Sequence, residues 1–325
     1  MDMIHVRAVS PPDLTARVVG RLAGDPSVLN LIVQPGAARN PDGDAVACDV
    51  LTGAANDVLR ALRALHLDSR GSVVIEPVDV AFAGGAAEAG TRQLGARAHA
   101  PVWDQVEARI RAEGTYAPSF YLYLVIAGLI GAVGIVTNSQ ILIVAAMVVG
   151  PEYGAVVSIA LGIDRRDGRR VRQGLRALLL GFTLAVVATF LFSLLIRGFG
   201  FESKAFSVGV RPVSQLIDTP GFFSFAVAGL AGIVGIISLT EARTSALLGV
   251  FISVTTIPAA ADIAVSVAFS SWSEARGSLV QLLVNIVVLI VVGTCTLRWQ
   301  REIWRRVAAR RAPADRPQRP SPGGN

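Results

Sequence analysis

From residue 119 to residue 297 the chain consists of six apolar runs, at 120–136, 141–163, 177–196, 222–239, 246–269 and 279–297. A hydrocarbon core about 30 Å thick is crossed by roughly 20 helical residues. The runs at 120–136 and 222–239 hold 17 and 18 residues and reach that length by taking in one flanking polar residue each. Hydrocarbon offers no water to backbone N–H and C=O groups, so segments of this length must be helices that close their own hydrogen bonds. The link at 137–140 is so short that the first two spans must form a tight helical hairpin.

The runs fall into two similar halves. Gly128, Gly131 and Gly134 reappear as Gly229, Gly232 and Gly235, offset by 101 positions. Each triplet precedes a long run broken by proline. The first break is Gly150-Pro151-Glu152; the second is Pro258, 107 positions after Pro151, with Asp262 four residues further on. Three spans per half is an odd number, so the halves must be inverted relative to one another, with a pseudo-twofold axis in the membrane plane. The glycine stripes read as surfaces for close helix packing.

The composition agrees: 52% of residues are hydrophobic, and the mean hydropathy is +0.55. The net charge of +6 is unevenly spread. Residues 1–83 carry seven basic and ten acidic groups, whereas the tail 298–325 carries eight and two. Arg165, Arg166, Arg169, Arg170, Arg172 and Arg176 crowd the link after the second run, and a second arginine cluster follows the sixth. With positive charge retained inside, six spans place both clusters and both termini in the cytoplasm of a plasma-membrane protein. The basicity therefore argues for a membrane surface and against nucleic acid. Cys48 and Cys295 lie in different phases, so no disulfide is expected. The start, Met1 to Arg7, lacks the pattern of a cleavable signal.

Residues 1–83 read as a small soluble domain in the order βαββαβ. Strands are expected at 3–9, 28–33, 45–51 and 73–82, and helices at 13–23 and 54–67. That order is ferredoxin-like, an α+β fold that hosts many functions and names none. Residues 84–118 form a linker with an amphipathic juxtamembrane helix at 101–113, suited either to the soluble domain or to the membrane surface. The expected architecture is thus a ferredoxin-like cytoplasmic domain (1–83), the linker (84–118), an α-helical six-span membrane domain with a three-plus-three inverted repeat (119–297) and a basic tail (298–325).

Chemistry is sparse. A proline inside a helix removes one donor and displaces the carbonyl four residues earlier, which here exposes backbone near Met147 and Val254 inside hydrocarbon. Glu152 follows its break directly, at the positive end of a half-helix. A carboxylate at mid-bilayer costs roughly 2.5–3.5 kcal/mol on insertion scales. Glu152 and Asp262 in matching halves suit binding of a cation or passage of protons. The alternative is that each pairs with a buried polar group such as Asn285, Gln281 or Tyr153. The candidate transport or ion-site residues are Gly150, Pro151, Glu152, Pro258, Asp262 and Asn285. Asn138, Ser139, Glu241, Arg243 and Thr244 sit at hairpin turns and read as caps. His5, His66 and His99 are scattered, so neither a metal nor another cofactor is expected, and no nucleophile, Walker or dinucleotide motif is present.

The run from Thr137-Asn138-Ser139 through Ala146-Met147 to Gly150-Pro151 resembles the domain-of-unknown-function 389 family of microbial multi-pass membrane proteins. Thr244-Ser245, Gly249 and Pro258 are similar to that family's second signature. The similarity covers about 119–297, and family members also fit the preceding ferredoxin-like segment. Three positions depart from the pattern. Ala155 stands where a second proline is expected, Ala259 replaces the second of a proline pair, and Glu152 occupies a normally apolar position. The resemblance implies the membrane fold and carries over no activity.

The duplicated, broken spans point to a proton- or cation-coupled carrier, or a channel, for a small solute. The competing reading is a membrane scaffold or sensor in which the cytoplasmic domain recognises the signal. An enzyme is not expected. The partners implied are the lipid bilayer and a small solute or ion, with self-association left open.

Overall fold

A computed structural model describes residues 3–78, 94–209, 211–217, 221–241 and 255–309. Contacts divide the chain into two units, residues 1–105 with 300–325, and residues 106–299.

The first unit is built on a four-stranded antiparallel sheet. Its strands are β1 (Met3–Ser10), β2 (Val28–Arg39), β3 (Asp42–Leu51) and β4 (Ser72–Val78), in the spatial order β2-β3-β1-β4. β1 pairs with β3 and β4 on either side, Val6 lying opposite Cys48 and Ile75. This interleaving is that of two split βαβ units. Period two sets the faces: Ile4, Val6 and Ala8 alternate inward from β1, and Val46, Cys48 and Val50 from β3. Two helices cover that face. Pro12–Ala23 buries Leu14, Val18 and Leu22, and Ala55–Ala64 buries Val58, Leu59 and Leu62. The first begins on a proline, whose missing N–H is no loss at a helix start. Strand β2 runs further than the sequence pattern suggests, through Pro35-Gly36 to Arg39, because the segment expected as a loop pairs with β3 at Ala38 and Arg39. The last expected strand is present to Val78; its end at 79–82 lies outside the described residues, as do 84–93 of the linker and the tail from 310. Within this core, burial pushes the Cys48 thiol up to about 11, with Asp49 adding to the effect. A thiol held neutral and covered is a poor nucleophile.

The second unit is helical. Among the described residues, four helices are long and apolar enough to cross a membrane: Pro118–Val136, Gly168–Phe199, Phe222–Thr240 and Trp272–Ala309. The pair Gln140–Val149 and Glu152–Asp164, bent by 49° at its break, makes a fifth candidate. The described part of the fifth apolar run forms a shorter helix, Thr256–Ala268, and 246–254 lies outside the described residues together with Arg243 and Thr244. Along Gly168–Phe199, Leu178, Phe182, Ala185, Thr189, Ser193 and Ile196 are buried, while Leu180, Leu184, Val187, Leu191 and Leu195 are exposed. An apolar stripe of that length left uncovered on a helix suits lipid rather than water.

Gly168–Phe199 has 32 residues, about 48 Å at 1.5 Å per residue, well beyond the hydrocarbon thickness. Its first three turns hold Arg169, Arg170, Arg172 and Arg176, which the sequence reading treats as a link. Asp167 caps it, accepting from the Arg169 and Arg170 N–H groups at 3.2 Å. The Arg170 N–H holds the Asp167 carboxyl below its ordinary value. The first hairpin turn is closed the same way. Asn138 adopts a left-handed φ of 54°, which asparagine tolerates better than most residues, and Ser139 caps Gln140–Val149 by accepting from the Leu142 N–H.

Candidate functional site

At the first break Gly150 is extended, with φ −69° and ψ 128°, as a residue before proline is driven to be. Pro151 follows as the cap of Glu152–Asp164. The proline thus stands at a helix break instead of kinking a continuous helix, and Glu152 is the first residue of the new helix. Pro258 is used in a related way. It is the third residue of Thr256–Ala268, inside the turn whose N–H groups have no intrahelical acceptor.

The two breaks meet. Thr256 Oγ1 donates to Glu152 Oε1 at 2.5 Å, joining the first residue of one half-helix to the first residue of the other. Both helices thereby present their positive ends to one carboxylate. Gly150 makes the approach possible: a Cβ there would lie 2.7 Å from Ile257 Cγ1 and would also overlap Glu152 Oε2. Glu152 is only 8% exposed, and its Oε2 has no hydrogen-bond partner among the described residues.

Thr255, beside Thr256, ties in the last helix. Asn285 Nδ2 donates to Thr255 Oγ1 at 3.0 Å, Gln281 Nε2 reaches the same oxygen at 3.4 Å, and Gln281 Nε2 donates to Asn285 Oδ1 at 3.1 Å. Asn285 therefore belongs to this cluster through a threonine, not through either acid. Asp262, fully buried, sits in its own cage of hydroxyls. Ser214 donates to Oδ1, Ser278 Oγ lies 2.6 Å from Oδ2, and Ser266 Oγ lies 3.4 Å from Oδ2. Ser278, Gln281 and Asn285 are spaced three and four apart, so one face of Trp272–Ala309 supplies the polar groups for both clusters.

The structure brings Gly150, Pro151, Glu152, Pro258 and Asn285 around Thr255 and Thr256, and places Asp262 in the adjoining hydroxyl cage on the same helix. Thr255, Thr256, Ser214, Ser266 and Ser278 were missed as site residues. A lone hydroxyl in an apolar run is ordinary; contact with a buried acid distinguishes Thr256, Ser214, Ser266 and Ser278, and contact with the Gln281–Asn285 pair distinguishes Thr255. Among the described residues no group of three His, Cys, Asp or Glu side chains is placed to hold a metal.

The glycine stripes serve this meeting. A Cβ on Gly131 would lie 2.8 Å from Ala261 Cβ, in the second half's broken run, and one on Gly235 would overlap the Tyr153 hydroxyl, in the first half's broken run. One glycine of each stripe thus packs against the broken element of the other half. The Trp103–Glu113 helix enters this unit at its C-terminal end: Arg109 donates to the Leu239 carbonyl at 3.3 Å, and Val106 and Ile110 are buried.

Comparison with known proteins bears on these same residues. No solved structure matches the chain. "Uncharacterized protein MJ0678" of Methanocaldococcus jannaschii is 22% identical over 198 residues, 58% of this chain and 58% of that protein. The match thus spans somewhat over half the length of this curated relative. A family model described as "Domain of unknown function (DUF389)" matches residues 147–291. Both breaks, Asp262 and the Gln281–Asn285 pair fall inside those bounds, so the segment that holds the site is similar to that family, the one that the Asn-Ser turn and the Gly-Pro pair resemble.

Proposed function

We propose that this protein is a six-span carrier or channel for a small solute or ion, coupled to protons or cations, with its site where the two broken runs meet. The observation that carries this reading is the Thr256–Glu152 hydrogen bond between the two half-helix starts. Transporter folds place their substrate and coupling-ion sites near the bilayer midplane, where discontinuous helices meet. Buried ionisable groups in membrane helices are costly and are retained chiefly where they do work. The reciprocal packing of Gly131 on Ala261 and Gly235 beside Tyr153 supports an inverted three-plus-three repeat, in which the apolar run 246–269 is the fifth span. The test is direct. The purified full chain in liposomes, under imposed proton, sodium and potassium gradients, carries ion flux that protein-free vesicles lack. Absence of flux across a broad panel of ions and metabolites would instead favour a scaffold or sensor, with the sheet domain as the recognising part.

The orientation belongs to the same proposal: plasma membrane, both termini and the arginine-rich link in the cytoplasm. Cysteines introduced singly at Gly168, Ser207 and Gly323 of a variant lacking Cys48 and Cys295 report it. An impermeant thiol reagent added to intact cells labels position 207 alone; labelling at 168 would invert the topology.

A further inference from the structure

We propose that Ser266 relays protons between Glu274 and the buried Asp262, giving Asp262 exchange with the membrane face that carries the 270–271 turn; this rests on the reading of the chain as proton-coupled. Ser266 Oγ lies 3.4 Å from Asp262 Oδ2 and 3.4 Å from Glu274 Oε2. One hydroxyl has one proton and two lone pairs. Between two carboxyl groups it donates to one and accepts from the other only when the second is protonated, which is the arrangement of a relay. Both contacts are longer than the roughly 2.5–3.0 Å of an ordinary O–H···O hydrogen bond, so the serine must rotate and approach each carboxyl in turn for the step.

Asp262 itself is sealed: it is 0% exposed and surrounded by Ser214, Ser266 and Ser278. Glu274 is the outer end. Its side chain is 24% exposed and pairs with Arg211 at 2.9 Å, and Arg211 also donates to Ser271 at 2.5 Å. The Arg211 guanidinium lies 4.3 Å from the Phe206 ring centroid, so aromatic surface borders the entrance. Among the described residues on elements packed about Asp262, the nearby charged groups include Arg197, which donates to the Ala268 carbonyl at 2.5 Å, Arg276 on the helix that carries Ser278, and Glu152 at the neighbouring break. In the step, protonated Glu274 gives its proton to Ser266 Oγ as the serine passes its own to Asp262 Oδ2. Glu274 is left a carboxylate, Asp262 becomes the neutral acid, and Ser266 rotates back with a proton in place. Chains of acids and hydroxyls of this kind mark proton paths in membrane proteins.

Time-resolved infrared spectroscopy of the full chain in liposomes tests this without any transported solute. The carboxylic-acid band lost in Asp262→Asn identifies the group, and an external pH jump starts its protonation. Ser266→Ala slows that protonation about a hundredfold, the lower end of what a positioned proton-transfer group contributes, and leaves the final amplitude unchanged. Glu274→Gln slows it comparably, while Ser266→Thr, which keeps a hydroxyl, restores the rate. Protonation of Ser266→Ala at the parent rate, or an Asp262 band that never forms at any pH, would overturn the relay. A relay that behaves as described in a protein that carries no flux would remove the carrier reading alone.

Discussion

On the proposed carrier reading, Glu152→Gln leaves the protein folded and lowers proton- or cation-coupled flux on the order of a hundredfold or more, the scale on which a proton-transferring group contributes. The substitution is nearly isosteric. Its amide oxygen still accepts from Thr256, as Oε1 does at 2.5 Å. The position of Oε2, which has no partner among the described residues, becomes an NH2 group. Removing an ionisable group from mid-bilayer relieves up to roughly 3 kcal/mol of insertion cost, so stability is expected to hold or rise. Folding and flux therefore move in opposite directions. A purely structural acid produces no such split, because replacing a buried charge by a neutral isostere is often neutral or stabilising with function intact. Unchanged flux and pH profile in Glu152→Gln would take the acid out of the mechanism. Asp262→Asn is expected to impair flux as well, since its carboxylate is the common acceptor of three serines. It carries an added stability loss of about 1–3 kcal/mol as one of its two acceptor oxygens becomes a donor facing hydroxyls.

Gly235→Ala destabilises the membrane unit by about 1–3 kcal/mol, the usual cost of overpacking, whereas Gly229→Ala is neutral or stabilising by up to about 1 kcal/mol, the helix-propensity gain of alanine over glycine. The two belong to one triplet on one helix, so their difference isolates packing. A Cβ at Gly229 meets nothing nearer than Val292 Cγ2 at 4.0 Å, while one at Gly235 overlaps the Tyr153 hydroxyl. Gly232 falls between, with Val292 Cγ1 at 3.3 Å. Thermal unfolding of the full chain in detergent reads the series: the midpoint falls from Gly229→Ala through Gly232→Ala to Gly235→Ala. Equal midpoints for the first and last would show that Tyr153 does not pack there. The first triplet lacks this gradient. Cβ atoms at Gly128, Gly131 and Gly134 would all come within 2.9 Å of Thr189, Ala261 or Ile143, so all three alanine variants are expected to lose stability.

Much of the architecture was legible because the forces that set it are periodic along the chain. Alternation of Ile4, Val6 and Ala8 against polar neighbours gives a strand with one buried face. Long apolar runs leave hydrocarbon-spanning helices as the only way to satisfy the backbone. The breaks were legible for a similar local reason, since proline cannot donate and restricts the residue before it. Charge density also marked the arginine-rich segment, but not its helicity. Arg169 to Arg176 continue the third helix because Asp167 caps it, and a cap decides where a helix starts independently of where hydrocarbon begins.

The site was legible only in part, and the division has a physical cause. The sequence by itself determined that Glu152 and Asp262 stand beside prolines in matching runs, because duplication and proline are linear signals. Which groups satisfy those acids was decided by tertiary structure alone. Thr256 lies 104 residues from Glu152 and Ser214 lies 48 from Asp262, and no spacing rule relates such positions. Hydroxyls are also common in apolar helices, where they ordinarily bond to their own backbone four residues back, as Thr294 does to the Ile290 carbonyl at 2.7 Å. The equivalence of the two glycine triplets was likewise a property of the sequence, whereas their unequal tightness depends on the neighbour each residue meets. A glycine marks where a close approach is allowed; the packed partner determines whether one is made.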